Sequence, residues 1–391
     1  MDIKFNSSDG PSVGIEIECQ LVDEADLSLV GKSEEIISGV FEGVTLSGGE
    51  FSIEELQSSL KHELLTSCVE INTKKSNTIA EAGEDLRKKF SIVIKEARKN
   101  NTRIALAGTH PFSKWKDQEV TRNPRYKRLL DELQMVATRF NIFGLHVHVG
   151  VKSGEGCIYV LNRLLQYMPH FLALSSNSPF WNDRDSGLKS YRTKVFETLP
   201  IAGLPFYFES WADFARLVKN YLQTKTIETT RELWWDLRPH PDFGTIEVRI
   251  CDAPSTINEI LAIASLVQAL VVKFEKEFEA GIRFERPHSF IVRENKWRAA
   301  RYGLEGEFIN EKGEENVPVK KIIGELLEDL APVATSLETS SYLDKIKDIL
   351  VSSSGASRQR SIFNETSEKK EIVRKLADIL EAEVNAVEGD G

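Results

Sequence analysis

The chain has 391 residues, 41% hydrophobic, 28% charged and 9% aromatic, with a formal net charge of −10 at pH 7. This composition excludes a disordered or fibrous chain and leaves ample length for a dry core. The acidic surplus speaks against nucleic acid as a partner, and carboxylates kept ready for divalent cations are one use for it.

Met1-Asp2-Ile3-Lys4 lacks the basic and apolar regions of a secretion signal. Asp9-Gly10-Pro11 then punctuates before an alternating strand expected over 14–22, and a second strand is expected over 68–73. Over 79–99 the apolar residues Ile79, Ala82, Leu86, Phe90, Ile94 and Ala97 recur every three or four positions, which predicts a helix. Strands over 103–108, 145–151 and 245–250 alternate with helices over 125–140, 158–174, 211–222 and 257–278. The most apolar run, 260–272, is broken by Ser265 and Gln268 and reads as a buried helix. No run of 18 consecutive apolar residues occurs, so no membrane partner is expected. The polar stretch 303–316 reads as a loop, and helices over 319–330, 342–350 and 368–384 close the chain. Ser352-Ser353-Ser354-Gly355 is too short to mark a domain boundary. Residues 1–391 therefore read as one α+β domain, with 305–391 a mainly helical C-terminal part. Four cysteines without a CxxC pair suggest reduced thiols and a cytoplasmic location.

The informative pattern lies within the strands, where residues i and i+2 share a face. In Gly14-Ile15-Glu16-Ile17-Glu18 both glutamates share one face and both isoleucines the other. Leu145-His146-Val147-His148-Val149 pairs two histidines against three aliphatics. Thr245-Ile246-Glu247-Val248-Arg249-Ile250 sets Glu247 and Arg249 opposite Ile246, Val248 and Ile250. In Cys68-Val69-Glu70-Ile71, Glu70 faces away from Val69 and Ile71, with Glu63 seven residues upstream. Each strand alone fits the wet face of an antiparallel sheet. Together they carry mainly Glu and His rather than Thr, Ser and Lys. Carboxylates gathered on one concave face repel unless cations neutralise them. Hard oxygen ligands with an imidazole suit Mg²⁺ or Mn²⁺, and Mg²⁺ commonly bridges carboxylates to nucleotide phosphates, so the pattern suggests a metal-bound ATP site. The His-x-His pair alone also admits a zinc site with Glu247 or a cysteine as third ligand, but so acidic a set is too hard for zinc.

Further motifs extend the set: Gln20-Leu21-Val22-Asp23, Glu63-Leu64-Leu65, Ala107-Gly108-Thr109-His110-Pro111-Phe112, Asn177-Ser178-Pro179-Phe180-Trp181, Ser190-Tyr191-Arg192, Glu247-Val248-Arg249-Ile250-Cys251-Asp252 and Trp297-Arg298-Ala299-Ala300-Arg301-Tyr302-Gly303. In this order, from about Val13 to Leu304, the chain resembles the glutamate–cysteine ligase type 2 family of ATP-dependent carboxylate–amine ligases. The resemblance implies the antiparallel catalytic funnel of glutamine synthetase and the guanidino kinases, flanked by helices. It implies Glu16, Glu18, Glu63, Glu70, His146 and Glu247 as ligands of two or three Mg²⁺ (or Mn²⁺) ions. It implies Arg249, beside Glu247, as the group neutralising phosphate charge during transfer. Arg192 and Arg238 would hold substrate carboxylate or ATP phosphate, and Arg298 and Arg301 would be further anion contacts. Two positions depart from the family pattern: Ile17 replaces a middle acid, and Leu145 stands where Met is usual. His148 reads equally as a ligand and as a structural histidine, whereas His110 and the cysteines read as structural.

The implied reaction activates the γ-carboxylate of L-glutamate as an acyl phosphate and joins it to an amino compound, with L-cysteine as the name-giving acceptor, in a homodimer that serves glutathione biosynthesis. Two alternatives keep much of the pattern: an ATP-dependent phosphotransferase on the same fold, and a catalytically silent homologue that binds nucleotide.

Overall fold

A computed structural model describes residues 3–47 and 50–388; Met1 and Asp2 of the N-terminal reading lie outside them. Alternating aliphatic and polar stretches become strands because only one of their faces can be buried. In chain order these are β1 (Val13–Asp23), β2 (Leu60–His62), β3 (Cys68–Asn72), β4 (Thr102–Ala105), β5 (Gly144–Gly150), β6 (Phe180–Trp181), β7 (Arg184–Asp185), β8 (Leu237–His240), β9 (Thr245–Asp252), β10 (Glu307–Ile309) and β11 (Asn316–Pro318). Seven of them form one antiparallel sheet in the order β2-β3-β1-β5-β9-β8, and β4 joins the far end of β1.

Ile15, Ile17, Cys19 and Leu21 on β1, with Val147 and Val149 on β5, are fully or almost fully buried. The helices Ile79–Lys99 and Ile257–Glu279 pack on β1, and the second of these also covers β5. Thr78 and Thr256 cap these two helices by accepting from the Glu81 and Glu259 amides. By length and composition Ile257–Glu279 could cross a membrane, yet 83% of its most apolar window is buried inside the fold, so here it is a core helix. The opposite sheet face is left open and carries the glutamates and histidines.

Several expectations are corrected. The helix over 125–140 breaks into Pro124–Leu133 and Met135–Thr138 at Gln134, whose φ of 52° and ψ of −130° end any helix. The helix over 158–174 divides into Gly154–Leu164, a 3₁₀ turn and Met168–Ser175, with Pro169 starting the last segment. The loop over 303–316 contains β10, which pairs with β11. The C-terminal region is helical apart from that hairpin. One contiguous apolar core runs from Val13 to Val384, so the C-terminal helices share it with the sheet.

Candidate active site

The register of the sheet turns the period-two pattern into a cluster. Glu16 stands opposite His146, Glu18 opposite Glu70, His148 opposite Glu247, and Arg238 on β8 opposite Glu247. These pairs occupy the open face, above a hollow of about 580 Å³ lined by Glu16, Glu18, Glu63, Glu70, His146 and five arginines, Arg125, Arg192, Arg231, Arg238 and Arg249.

Two groups offer converging ligand atoms. Glu16, His146 and Glu247 form one, and Glu18, Glu70 and His146 the other, with the ligand atoms in each group within 4.8 Å of one another. His146 Nδ1 lies 3.2 Å from Glu16 Oε2. Glu63, just past β2, adjoins the second group. Burial, with the charge of Glu18, pushes its carboxyl up to about 7. Burial and Glu63 likewise raise Glu70, while Asn72 donates to it at 2.9 Å. Burial alone would raise Glu16, but His148 and His146 hold it below the ordinary value. Carboxyls crowded until some must stay protonated fit a hard divalent cation, whose charge would let all of them ionise.

At the other end Glu247, with no exposed surface, is the anchor of a charge network. Its Oε2 accepts from Arg238 Nε at 2.8 Å and from Nη2 at 2.7 Å, and its Oε1 accepts from Arg249 Nη1. Burial works against ionisation, but the two guanidinium groups hold the Glu247 carboxyl far below the usual range. His148 sits between the acids, with Nε2 3.4 Å from Glu16 and 3.6 Å from Glu247, and Nδ1 3.1 Å from Thr245 Oγ1.

A β-bulge separates the two ends. Leu145 faces Cys251 but Val147 faces Val248, so Arg249 and Ile250 together oppose His146. Cys251, not Ile250 as the alternation predicts, continues the register of Ile246 and Val248. The bulge turns the Arg249 and Ile250 carbonyls toward the buried Arg192, which donates to them at 3.3–3.5 Å. Arg192 can lie there because position 144 is glycine: a Cβ at that point would collide with its Nη2.

Arg192, Arg238 and Arg249 therefore join the hollow, whereas Arg298 and Arg301 do not. Arg298 holds Glu294 at 3.0 Å and Asn316 at 2.7 Å, bracing the β10–β11 hairpin. Arg301 donates to the Gly187 carbonyl at 2.6 Å, and neither side chain lines the hollow. His110 is buried and spends both ring nitrogens on backbone groups. Sequence reasoning missed His240 and Phe243, whose rings stack 4.0 Å apart at 6° on the rim. Their proximity depends on the tight return at Gly244, whose φ is 65°; Asp-Phe-Gly between two apolar runs was the available signal. It also missed Arg125, Arg231 and the apolar wall of Phe140, Phe143 and Phe196, which Trp234 completes at the rim.

A family profile described as "Glutamate-cysteine ligase family 2" matches residues 12–378. A protein of Gloeobacter violaceus named "Putative glutamate--cysteine ligase 2" is 42% identical over 379 residues, covering 97% of this chain and 98% of its own. One of the same name from Thermobifida fusca is 38% identical, covering 99% and 95%. Among solved structures, the glutamate–cysteine ligase of Francisella tularensis in complex with AMP superposes with a TM-score of 0.69 at 14% identity, covering 98% of this chain and 95% of that one. A bifunctional glutathione synthetase of Pasteurella multocida gives 0.69 at 12% identity, with 96% of this chain matching 53% of that one. At such low identity these two structures speak for the fold.

Proposed function

The chain belongs to glutamate–cysteine ligase family 2 and is an ATP-dependent ligase, and from that premise we propose that it activates the γ-carboxylate of L-glutamate and joins it to an amine, with L-cysteine the first acceptor to test. The observation that carries the reading is the meeting, at a single hollow over one sheet face, of a carboxylate–imidazole cluster with five arginines, among them Arg192, Arg238 and Arg249.

A carboxylate is a poor electrophile, so amide formation needs prior activation. A γ-carboxylate oxygen attacks the terminal phosphorus of ATP, the phosphoanhydride bond breaks and ADP leaves. The amine nitrogen then attacks the acyl carbon, loses a proton and expels inorganic phosphate. Glu16, Glu18, Glu63, Glu70, His146 and Glu247 would hold Mg²⁺ or Mn²⁺, which when bound offsets the charge of the phosphate oxygens. Arg249, clamped by Glu247, is held rigid beside that cluster and supplies positive charge where phosphoryl charge develops. Arg238 fixes the same carboxylate and so positions Arg249. Arg192 has a buried Nε without a hydrogen-bond partner, a donor available to a substrate carboxylate. The apolar wall around Phe140 and Trp234 excludes water that would hydrolyse the acyl phosphate.

The proposal includes a reducing cytoplasm, supported by four buried unpaired thiols, and a homodimer, whose mass sedimentation velocity would read directly. The reaction is tested by supplying ATP, Mg²⁺ and L-glutamate with a panel of amino acids and amines. Phosphate release in step with a new amide of the expected mass is the outcome expected. Phosphate retained on an acceptor would replace the reading with a phosphotransferase, and absence of turnover across the panel with a binding homologue.

A further inference from the structure

Outside the hollow already described, one other cavity combines room with unspent chemistry. It has a volume of about 600 Å³ and is lined by Trp115, Trp181, Tyr191, Arg139 and Arg184, with Lys114 and Lys116 at its mouth. We propose that it binds a nucleoside phosphate at a second site, separate from the catalytic hollow, and that occupancy acts on Arg192 through a helix the two cavities share.

The charge argument comes first. Lys114, Lys116, Arg139 and Arg184 are exposed, and among the described residues none has a carboxylate within ion-pairing distance. Two acids near them are already spent, while Asp117, next to Lys116, has no ion pair among the described residues. Asp185 takes two hydrogen bonds from Arg360, at 3.0 and 2.6 Å, and Asp183 pairs with Lys369 at 2.8 Å. Lys194, also on the wall, pairs with Glu197. Four free cations around one concavity, on a chain of net charge −10, form a local field suited to a multiply charged anion.

The aromatic groups decide what the anion carries. The Asn182 side-chain oxygen, oriented by its donors, accepts from the indole N–H groups of Trp115 at 3.2 Å and Trp181 at 3.0 Å. Asn182 and Asp183 have φ of 48° and 66°, the tight turn that joins β6 to β7 and returns the chain at that point. The two indoles are thus fixed from one amide, with Tyr191 5.5 Å from Trp181 and Arg139 5.8 Å from the Trp115 ring. Preset half-buried indoles beside free cations offer a planar base a stacking surface and its phosphates a rim of donors.

The coupling follows from the helix Arg192–Phe196 and the turn after it. Arg192, Phe196 and Leu199 line the catalytic hollow, at i, i+4 and i+7. Tyr191, Lys194, Val195 and Thr198 line the second cavity, so this one element is the wall between them. A ligand that draws Tyr191 or Lys194 toward itself moves the backbone that carries Arg192.

The test titrates the full chain with AMP, alongside inorganic phosphate as a ring-free probe, and reads the part of the tryptophan fluorescence change that Trp115→Phe and Trp181→Phe remove, because Trp234 in the catalytic hollow also emits. Saturable quenching by AMP is expected, about tenfold weaker in Arg184→Glu and in Arg139→Glu. It should be unchanged in Arg249→Ala, which alters only the catalytic hollow. Trp181→Phe should lower the amplitude of the change while the chain keeps its melting temperature. Quenching lost in Arg249→Ala but kept in Arg184→Glu would place AMP in the catalytic hollow and overturn the proposal. So would phosphate that binds as tightly as AMP, or the absence of saturation with AMP. Because none of these readouts uses turnover, the result stands apart from the fate of the proposed ligase reaction.

Discussion

Glu63 is a carboxyl held close to neutrality by its neighbours, and this has a sign that can be checked. Its folded value, about 7, lies above the ordinary 4.5 because burial and Glu18 disfavour its charge. A group raised on folding binds more protons in the native state, so its contribution is fully present below about 4.5 and is lost as pH rises toward 7. Glu70 is raised for the same reasons and acts in the same direction. Buried histidines held neutral (His110, His170 and His240) act in the opposite direction over this range, so the Glu63 contribution is read as a difference between two chains. Between pH 5 and 7 the metal-free parent should lose melting temperature relative to Glu63→Gln, by a few degrees on the scale of about 2–4 °C per kcal/mol, and millimolar Mg²⁺ should flatten that relative fall. A difference between the two chains that is indifferent to pH in this window would mean that Glu63 is not crowded by its neighbours. At this scale the sequence was most legible where periodicity applies. Glu16, Glu18, His146, His148 and Glu247 share a face because a strand alternates, and the register then brings them together. Glu63 lies beyond the end of β2 and Arg192 on a short helix, so no alternation could place them; only the family resemblance pointed there. The same resemblance pointed to Arg298 and Arg301, which the helix Ser289–Tyr302 directs to the β10–β11 hairpin and to Gly187 instead.

At the scale of elements, what the sequence hid is irregularity. The bulge on β9 adds a single residue, leaves the apolar count of the strand almost unchanged and yet turns two carbonyls toward Arg192. Gly144 is its complement on β5. Gly144→Ala puts a methyl group where the guanidinium now lies, and because that is the far end of a flexible side chain, Arg192 should swing aside with the sheet intact. We expect an unchanged circular dichroism spectrum and a 10- to 100-fold loss of kcat/KM, mainly through KM for the carboxylate substrate. A loss confined to kcat would assign Arg192 to the chemical step instead. The broken helix gives a second case. Gln134 links two short helices at φ 52° and ψ −130°, a backbone that glycine adopts without strain and glutamine does not. Its side chain is exposed, so Gln134→Gly should raise stability by about 1 kcal/mol in thermal unfolding. Destabilisation would show that the Gln134 side-chain contact to the Asp131 carbonyl outweighs the strain. The amphipathic pattern over 125–140 could not reveal this break, because apolar spacing continues on both sides of it.

At the scale of the whole molecule, the C-terminal helices bear on the catalytic sheet from behind. Helix Lys369–Glu388 returns to β4, where the buried Arg103 donates to Glu381 at 3.0 and 3.3 Å and to Asp378 at 2.7 Å. Glu381 also takes Arg98, and Glu383 accepts from the Ile257 and Asn258 amides, which cap the central core helix. On the preceding helix, Gly355–Thr366, Gln359 donates to Asn177, whose amide in turn holds Leu106 and Ala253 beside the end of β9. The tail thus braces both the β4 edge and the end of the strand that carries Glu247 and Arg249. Its apolar residues read as helices in the sequence, but these polar contacts join distant stretches of the chain and leave no local signature. Glu381→Ala removes one acid facing two guanidinium groups, one of them buried, and should lower stability by about 1–3 kcal/mol. Since Glu381 lies behind the sheet and touches nothing in the hollow, turnover at low temperature should stay near that of the parent while the thermal midpoint drops. Equal losses of activity and of melting temperature would instead mean that the tail sets the geometry of β9, making the helical region a partner of the site rather than its support.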